Sequence, residues 1–324
     1  MKNDKDRIIN RESINLELMP FVKTEFMNVY KGSYIDKNIQ VAIKVPKEQS
    51  TKQKEKDALT LINNELDILN QLEHPHIVKY YGYVVAKAKP CIVLKLMAYS
   101  LQMILQDDKA KDAHFQIAFG LANGLRYLHE NGIVHRDFKP ANILTNEDCS
   151  ELTICDFGLS VDLKKDTSAV RWRRGTPLWF APEIAQQMSA DKPEAPIDPC
   201  KTDIWALGQM LLLLYKNGKT RPYDGFNYET ISKLYEHIAA GNTDIIPSDK
   251  PLTELITWCL QKYPVHRLNA TQVVEAVEKL KPVPIPAPAT LDKKVPDAMD
   301  KPKPNAVDEV AGALAKMKLP CTLK

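Results

Sequence analysis

The sequence predicts an α+β protein in which a small sheet-rich lobe precedes a larger helical one. Three observations predict it. In the first part of the chain, residues 28–45, 77–85 and 91–94 read as strands, with a period of two at Val41, Ile43 and Val45. The second half reads mostly helical, with apolar residues at helical spacing from Ile117 to Leu128. Strands come first and helices later, the order of an α+β protein.

The elements follow in order. Residues 1–13 are polar and read as a flexible N-terminus, followed by a strand-like stretch. Residues 28–45 read as two strands joined by a turn near Asp36 and Asn38. Val41, Ile43 and Val45 alternate with Ala42 and Lys44, so period two puts Ala42 and Lys44 on one face and the bulky apolar residues on the other. Leu59, Ile62, Leu66, Leu69 and Leu72 recur at helical spacing, with Glu65 at the edge of the stripe. His74–Pro75 is the expected stop. Residues 77–85 and 91–94 read as strands. Ile117, Leu121, Leu125 and Leu128 define an amphipathic helix, and residues 202–215 a very apolar, buried one. Residues 251–260 and 270–280 read as shorter helices. At Lys281 the composition shifts: residues 282–304 are a Pro-rich linker, and residues 305–324 a tail with one short helix-like patch.

The chain has 324 residues, 44% hydrophobic and 26% charged, as in soluble globular proteins. Its 44 basic and 41 acidic residues leave a net charge of +3, so charge gives no reason to expect nucleic acid or anionic lipid as partner. The longest apolar run, near residues 206–215, is too short to span a bilayer. Six cysteines (Cys91, Cys149, Cys155, Cys200, Cys259 and Cys321) form no CxxC pair, and the charged N-terminus has no export core. A reducing, intracellular, cytoplasmic compartment is expected.

The chemistry concentrates in His135-Arg136-Asp137-Phe138-Lys139-Pro140-Ala141-Asn142, followed by Asp156-Phe157-Gly158. Phosphoryl transfer needs polyphosphate charge neutralised, a metal held by oxygen ligands and an acceptor hydroxyl aligned in line. Asn142 and Asp156 can supply hard oxygen ligands to Mg²⁺. Asp137 can take the proton of the attacking hydroxyl, and Lys139 can hold the transferring phosphoryl group.

These segments resemble the catalytic loop and metal-binding triplet of the eukaryotic-type Ser/Thr protein kinase family. Residues 41–44 resemble its strand bearing the phosphate-binding lysine, here Lys44, and Glu65 matches the acid that pairs with it. Ala181-Pro182-Glu183 resembles the close of the activation segment, and residues 203–208 the start of the buried central helix. Arg267 matches the late arginine that pairs with Glu183. The motifs keep the family's order from about residue 21 to 280.

The resemblance implies a bilobal kinase fold, with an N-lobe at about 14–94 and a C-lobe at about 98–281. It implies transfer of the γ-phosphate of ATP, with Mg²⁺, to Ser/Thr hydroxyls of a protein substrate. Val29, Ala42, Leu94, Leu96 and Met97 would line the nucleotide site with Lys44, Glu65, Asn142 and Asp156. Lys139, with Gly175-Thr176, resembles the Ser/Thr rather than the Tyr class. Arg136 implies a pocket for an activation-segment phosphate, with Thr167 or Ser168 as autophosphorylation acceptors. Arg171, Arg173 and Arg174 read either as a solvated loop or as a dock for acidic substrate residues.

One departure stands out. In the family pattern G-x-G-x-x-G-x-V, with Val29 as the valine, the glycine positions carry Val22, Thr24 and Met27, while Phe26 matches the aromatic tip. Side chains there should stiffen the loop and hold its amides away from ATP. Either nucleotide binding weakens or another contact orders the loop. A pseudokinase scaffold or allosteric binding module is the alternative. A small-molecule kinase is a third reading, opposed by the Gly175-Thr176 to Ala181-Pro182-Glu183 segment. Cys321-Thr322-Leu323-Lys324 has a prenylation box's length but an atypical terminal Lys. A secreted effector acting in a host cell is compatible with this organisation, though no residue specifies it.

Overall fold

The structure, a computed structural model, describes residues 7–106, 113–166, 174–188, 198–218, 221–244, 246 and 252–280. It has a β-sheet lobe followed by a helical lobe. Strands β1 (Ile14–Leu16), β2 (Val22–Lys23), β3 (Met27–Tyr34), β4 (Ile39–Pro46), β5 (Tyr80–Ala86) and β6 (Lys89–Lys95) form one antiparallel sheet in the order β1-β3-β4-β6-β5, with β2 on β3. The turn between β3 and β4 is a 3-10 segment, Ile35–Lys37, closed by Asn38 in the left-handed region at φ 50°.

β4 alternates as its sequence dictates. Val41 and Ile43 join Ile14, Val84 and Val93 on one face, while Ala42 packs on the other with Ile92 and Leu94. Helix α1 (Lys52–Leu69) lies against β6 and β4. Thr51 caps it, its hydroxyl accepting from Lys54 N at 3.2 Å. The helix ends at Leu69, not at His74: Gln71 and Leu72 bond back to Ile68 and Leu69 in tighter turns. Leu72 remains buried, so its periodic spacing reflects packing of the loop.

Of the N-terminal segment, 1–13, expected to be flexible, the described part is residues 7–13. Residues 7–13 dock on the sheet: Ile9 N donates to Tyr83 O at 2.9 Å, Ile9 is buried, and the Ser13 hydroxyl donates to Asp36 at 2.6 Å. Backbone pairing to a sheet edge leaves little trace in a polar sequence.

The second lobe contains β7 (Tyr99–Ser100), α2 (Leu101–Gln106), α3 (His114–Glu130), β8 (Ile133–Val134), β9 (Ile143–Thr145), β10 (Leu152–Ile154), β11 (Val161–Asp162), α4 (Pro182–Met188), α5 (Cys200–Tyr215), α6 (Ile231–Ala239), α7 (Leu252–Cys259) and α8 (Ala270–Lys279). Strands β10-β9-β7 form a small antiparallel sheet, and β11 pairs with β8. α5 is buried on nearly every side, as its unbroken apolar sequence requires. At Gly208 a Cβ would come within 2.7 Å of Cys259 Cβ, so glycine permits the close approach of α7. α8 carries a capping box between Asn269 and Gln272. Among the described residues, no helix is long and apolar enough to cross a membrane.

Candidate active site

Strand register gathers the first group. β4 runs between β3 and β6, placing Lys44 opposite Val29 and Ala42 opposite Leu94. Val29, Ala42, Leu94 and Leu96 share one apolar cluster, and Met97 is half-buried just beyond. From this face Lys44 Nζ reaches Glu65 Oε2 at 2.6 Å and Asp156 Oδ1 at 2.7 Å. Three residues distant in sequence thus meet, from β4, α1 and the segment after β10.

Burial sets the electrostatics. Desolvation works to lower the Lys44 pKa, but Asp156 and Glu65 outweigh it and hold the ammonium above its ordinary range. Burial pushes the Glu65 carboxyl up, with Lys44 pulling against it. Burial also opposes ionisation of Asp156, yet Lys44 brings its carboxyl below the usual range. The Asp156 side chain is 42% exposed, so a carboxylate bound to Lys44 still presents oxygen to the cleft.

A second cluster is built from residues 135–142. Asp137 Oδ2 accepts from Lys139 Nζ at 2.7 Å and from Asn142 Nδ2 at 2.9 Å, while Oδ1 accepts from the Thr176 hydroxyl at 2.7 Å. Lys139 Nζ also donates to that hydroxyl at 2.6 Å. Asp137 is only 6% exposed, but Lys139 and Thr176 beside it line a cavity of about 580 Å³. Gly175, at φ 128°, lets Thr176 come this close: a Cβ would lie 2.6 Å from Arg136 O. Cys155 N donates to Asn142 O at 2.9 Å, tying this loop to the residue before Asp156.

The loop is held from below by Asp203, in the first turn of α5. Its buried carboxylate accepts from His135 N at 2.7 Å, Arg136 N at 2.9 Å and His129 Nε2 at 3.0 Å. Burial would raise the Asp203 carboxyl, but the His129 hydrogen bond and the two histidines bring it below its ordinary range. Within this site Arg136 and Asp156 adopt positive φ, at 65° and 69°. Asp203 fixes the first by its two backbone contacts. His135 is fully buried, its Nε2–H donating to the Cys155 carbonyl at 3.0 Å, which suits a structural role. Farther down, Arg267 is buried and forms a bidentate pair with Glu183, both contacts at 2.7 Å.

Asn64 was not legible as a site residue. Its Nδ2 faces the carbonyls of Phe157, Gly158 and Ser160 at 3.2, 3.1 and 2.9 Å, clamping α1 to the segment after Asp156. No sequence signal could have revealed it, because its partners are backbone. Thr176 did carry a signal in the Gly175-Thr176 pair.

The hairpin that should cover phosphates is tightly closed. Thr24 N donates to Met27 O at 2.9 Å, and Met27 N donates to the Thr24 hydroxyl at 3.1 Å. Its tip is tied down: Lys47 N donates to Phe26 O at 2.8 Å, Lys47 Nζ donates to Thr24 O, and Lys54 pairs with Glu25 at 3.1 Å. Another contact does order the loop, as one of the two sequence expectations required. Thr167, Ser168, Arg171, Arg173 and residues 282–324 lie outside the described residues.

The donor set fits a hard cation delivered with its nucleotide. Asp156 and Asn142 offer one carboxylate and one amide oxygen. Among the described residues, no group of three or more His, Cys, Asp or Glu could hold a metal alone.

Comparison with known proteins agrees with this geometry. The protein kinase domain profile matches residues 23–277. The chain belongs to the eukaryotic-type protein kinase family. It is 36% identical over 185 residues to serine/threonine-protein kinase pakF of Dictyostelium discoideum, covering 56% of this chain and 14% of that protein. It is 29% identical over 255 residues to mitogen-activated protein kinase kinase kinase 3 of Arabidopsis thaliana, covering 77% and 40%. It is 30% identical over 219 residues to human serine/threonine-protein kinase TAO3, covering 66% and 23%. The matches thus span well under half the length of these relatives.

Proposed function

We propose that the chain is an active protein kinase transferring the γ-phosphate of ATP to Ser or Thr hydroxyls of protein substrates. The observation that carries this reading is the convergence of Lys44 on both Glu65 and Asp156, at 2.6 and 2.7 Å, across the two lobes. A scaffold has no need of that arrangement together with an intact Asp137, Lys139 and Asn142.

The roles follow from the chemistry. Asn142 and Asp156 would hold Mg²⁺, which supplies charge to offset the polyphosphate. Lys44, kept protonated by its two carboxylates, binds nucleotide phosphate, and Glu65 fixes its position. Val29, Ala42, Leu94, Leu96 and Met97 bracket the base. Asp137 accepts the proton of the incoming hydroxyl, a contact of the kind Thr176 already makes with its Oδ1. Lys139 donates to the transferring phosphoryl oxygens. The Lys139–Thr176 pair supports Ser/Thr acceptors, as do the names of two relatives, both serine/threonine-protein kinases. Autophosphorylation at Thr167 or Ser168 would place a phosphate near Arg136.

The second reading is a pseudokinase, favoured by one observation: the Thr24 and Met27 amides are spent inside their own hairpin. Labelled ATP, Mg²⁺ and a generic protein acceptor separate the two. Transfer by wild type that both Asp137→Ala and Asp156→Ala abolish supports the enzyme. No transfer in wild type supports the scaffold, and transfer surviving in both variants contradicts the assigned roles.

A further inference from the structure

A cavity of about 680 Å³ lies among the N-terminal segment, the 3-10 turn Ile35–Lys37, the loop after α1, β5, the end of β6 and β10. None of its lining residues belongs to the site described above. Its charged walls are Arg7, Lys37, Lys79 and Lys95 against Glu73 and Glu151. Lys95 pairs with Glu151, so those two charges cancel in place.

The other three cations are held by aromatic faces. The Arg7 guanidinium lies 5.0 Å from the Tyr80 ring centre. Lys37 and Lys79 ammonium groups lie 5.4 and 5.6 Å from the Tyr81 ring centre. A ring face orients a cation without neutralising it, and leaves N–H donors for another acceptor. The ion pairs among the described residues leave Arg7, Lys37 and Lys79 out. Three unneutralised cations therefore face one acid, Glu73.

A second observation is independent of charge. Thr153 lines the same cavity, is 3% exposed, and its hydroxyl has no hydrogen-bond partner. A buried hydroxyl in that state is destabilising, and a ligand oxygen relieves it. The volume falls within the range of about 300–1,000 Å³ usual for small-molecule sites. Walls drawn from six elements make a concave site for a compact ligand rather than a strip for an extended peptide.

We propose that this cavity binds a small polyphosphorylated anion carrying two or more phosphate groups. Arg7, Lys37 and Lys79 supply charge-assisted hydrogen bonds, and Lys95 and Thr153 close the inner end. Leu72 to Pro75, Ile77 and Val78 in its wall come shortly after the end, at Leu69, of the helix that carries Glu65. A bound anion would therefore clasp that loop to β5 and to the turn before β4.

Isothermal titration of inorganic tripolyphosphate, without Mg²⁺, into the full chain tests this. Saturable binding is expected in wild type. Lys37→Glu combined with Lys79→Glu should weaken it at least about tenfold with an unchanged unfolding midpoint, both side chains being exposed. Lys44→Met, which alters only the kinase cleft, should leave it unchanged. No saturable binding in wild type overturns the proposal, as does a loss that follows Lys44→Met instead of the double variant. Sedimentation with phosphatidylcholine vesicles carrying a phosphatidylinositol bisphosphate identifies the source. Co-sedimentation that the double variant loses assigns the anion to a lipid headgroup; none assigns it to a free polyphosphate.

Discussion

On the proposed reading the loop at residues 135–142 and the hairpin at residues 22–29 would serve the same chemistry from opposite lobes, yet they depart very differently from the family pattern. The loop retains Asp137, Lys139 and Asn142, joined in one hydrogen-bonded cluster. The hairpin retains no glycine at the three expected positions. The difference reflects what each element uses. The loop would work through side chains, so its function would be tied to residue type. The hairpin would work through backbone amides, and two of these are engaged internally by Thr24 and Met27. Chemistry and affinity should therefore separate: the loop sets the rate of transfer, and the hairpin sets how well nucleotide is held.

Substitutions at three places and one pH series sharpen that separation. The largest effect belongs to the loop. Asp137→Asn should lower kcat by about 100- to 10,000-fold, the usual worth of a general base, with nucleotide affinity nearly unchanged. Steady-state kinetics with a protein acceptor, paired with nucleotide titration, checks both halves.

Next comes the Asn64 clamp. Asn64→Leu removes the donor to three carbonyls and should cost roughly tenfold in kcat, since each net hydrogen bond contributes about 0.5–1.5 kcal/mol. Partial rescue by Asn64→Gln distinguishes positioning from mere packing. An unchanged kcat in Asn64→Leu would remove Asn64 from the account.

The hairpin should respond more weakly and in the opposite sense. Thr24→Gly combined with Met27→Gly removes the hydroxyl that holds the Met27 amide, leaving only the backbone bond from residue 24 to residue 27, and should lower KM for ATP a few-fold, leaving kcat alone. A rise in KM would mean that the ordered hairpin, not free amides, holds the nucleotide.

The smallest effect is on pH-dependent stability. Asp156 has its carboxyl depressed below the ordinary 3.8, so its contribution is present above that value and lost as pH falls through the depressed one. Lys44 is raised, so its share is present below 10.5 and lost only as pH rises through the raised value. Wild type should therefore lose more stability on acidification below pH 3.8 than Asp156→Asn does, as denaturant unfolding at stepped pH would show.

Much of this site was legible because its chemistry demands particular side chains at particular spacings. Lys44, Glu65, Asp137, Asn142 and Asp156 could be named from the sequence, and the structure brings them into two adjoining clusters. Illegible features share one property, that backbone atoms are their partners. Asn64 binds three carbonyls, Ile9 pairs with a strand edge, and Thr24 closes its own hairpin. None of these leaves a complementary residue to read. The end of α1 departs from the spacing of its apolar residues for a related reason. Leu72 keeps helical spacing and is buried, yet the chain has already tightened past Leu69.

The most direct test of two lobes sharing one metal–nucleotide site is nucleotide binding measured with and without Mg²⁺. Wild type should bind ATP more tightly with Mg²⁺; Asp156→Ala should lose that enhancement, and Lys44→Met should bind less tightly under both conditions. Binding indifferent to Mg²⁺ in wild type, or an enhancement that survives in Asp156→Ala, would contradict the account.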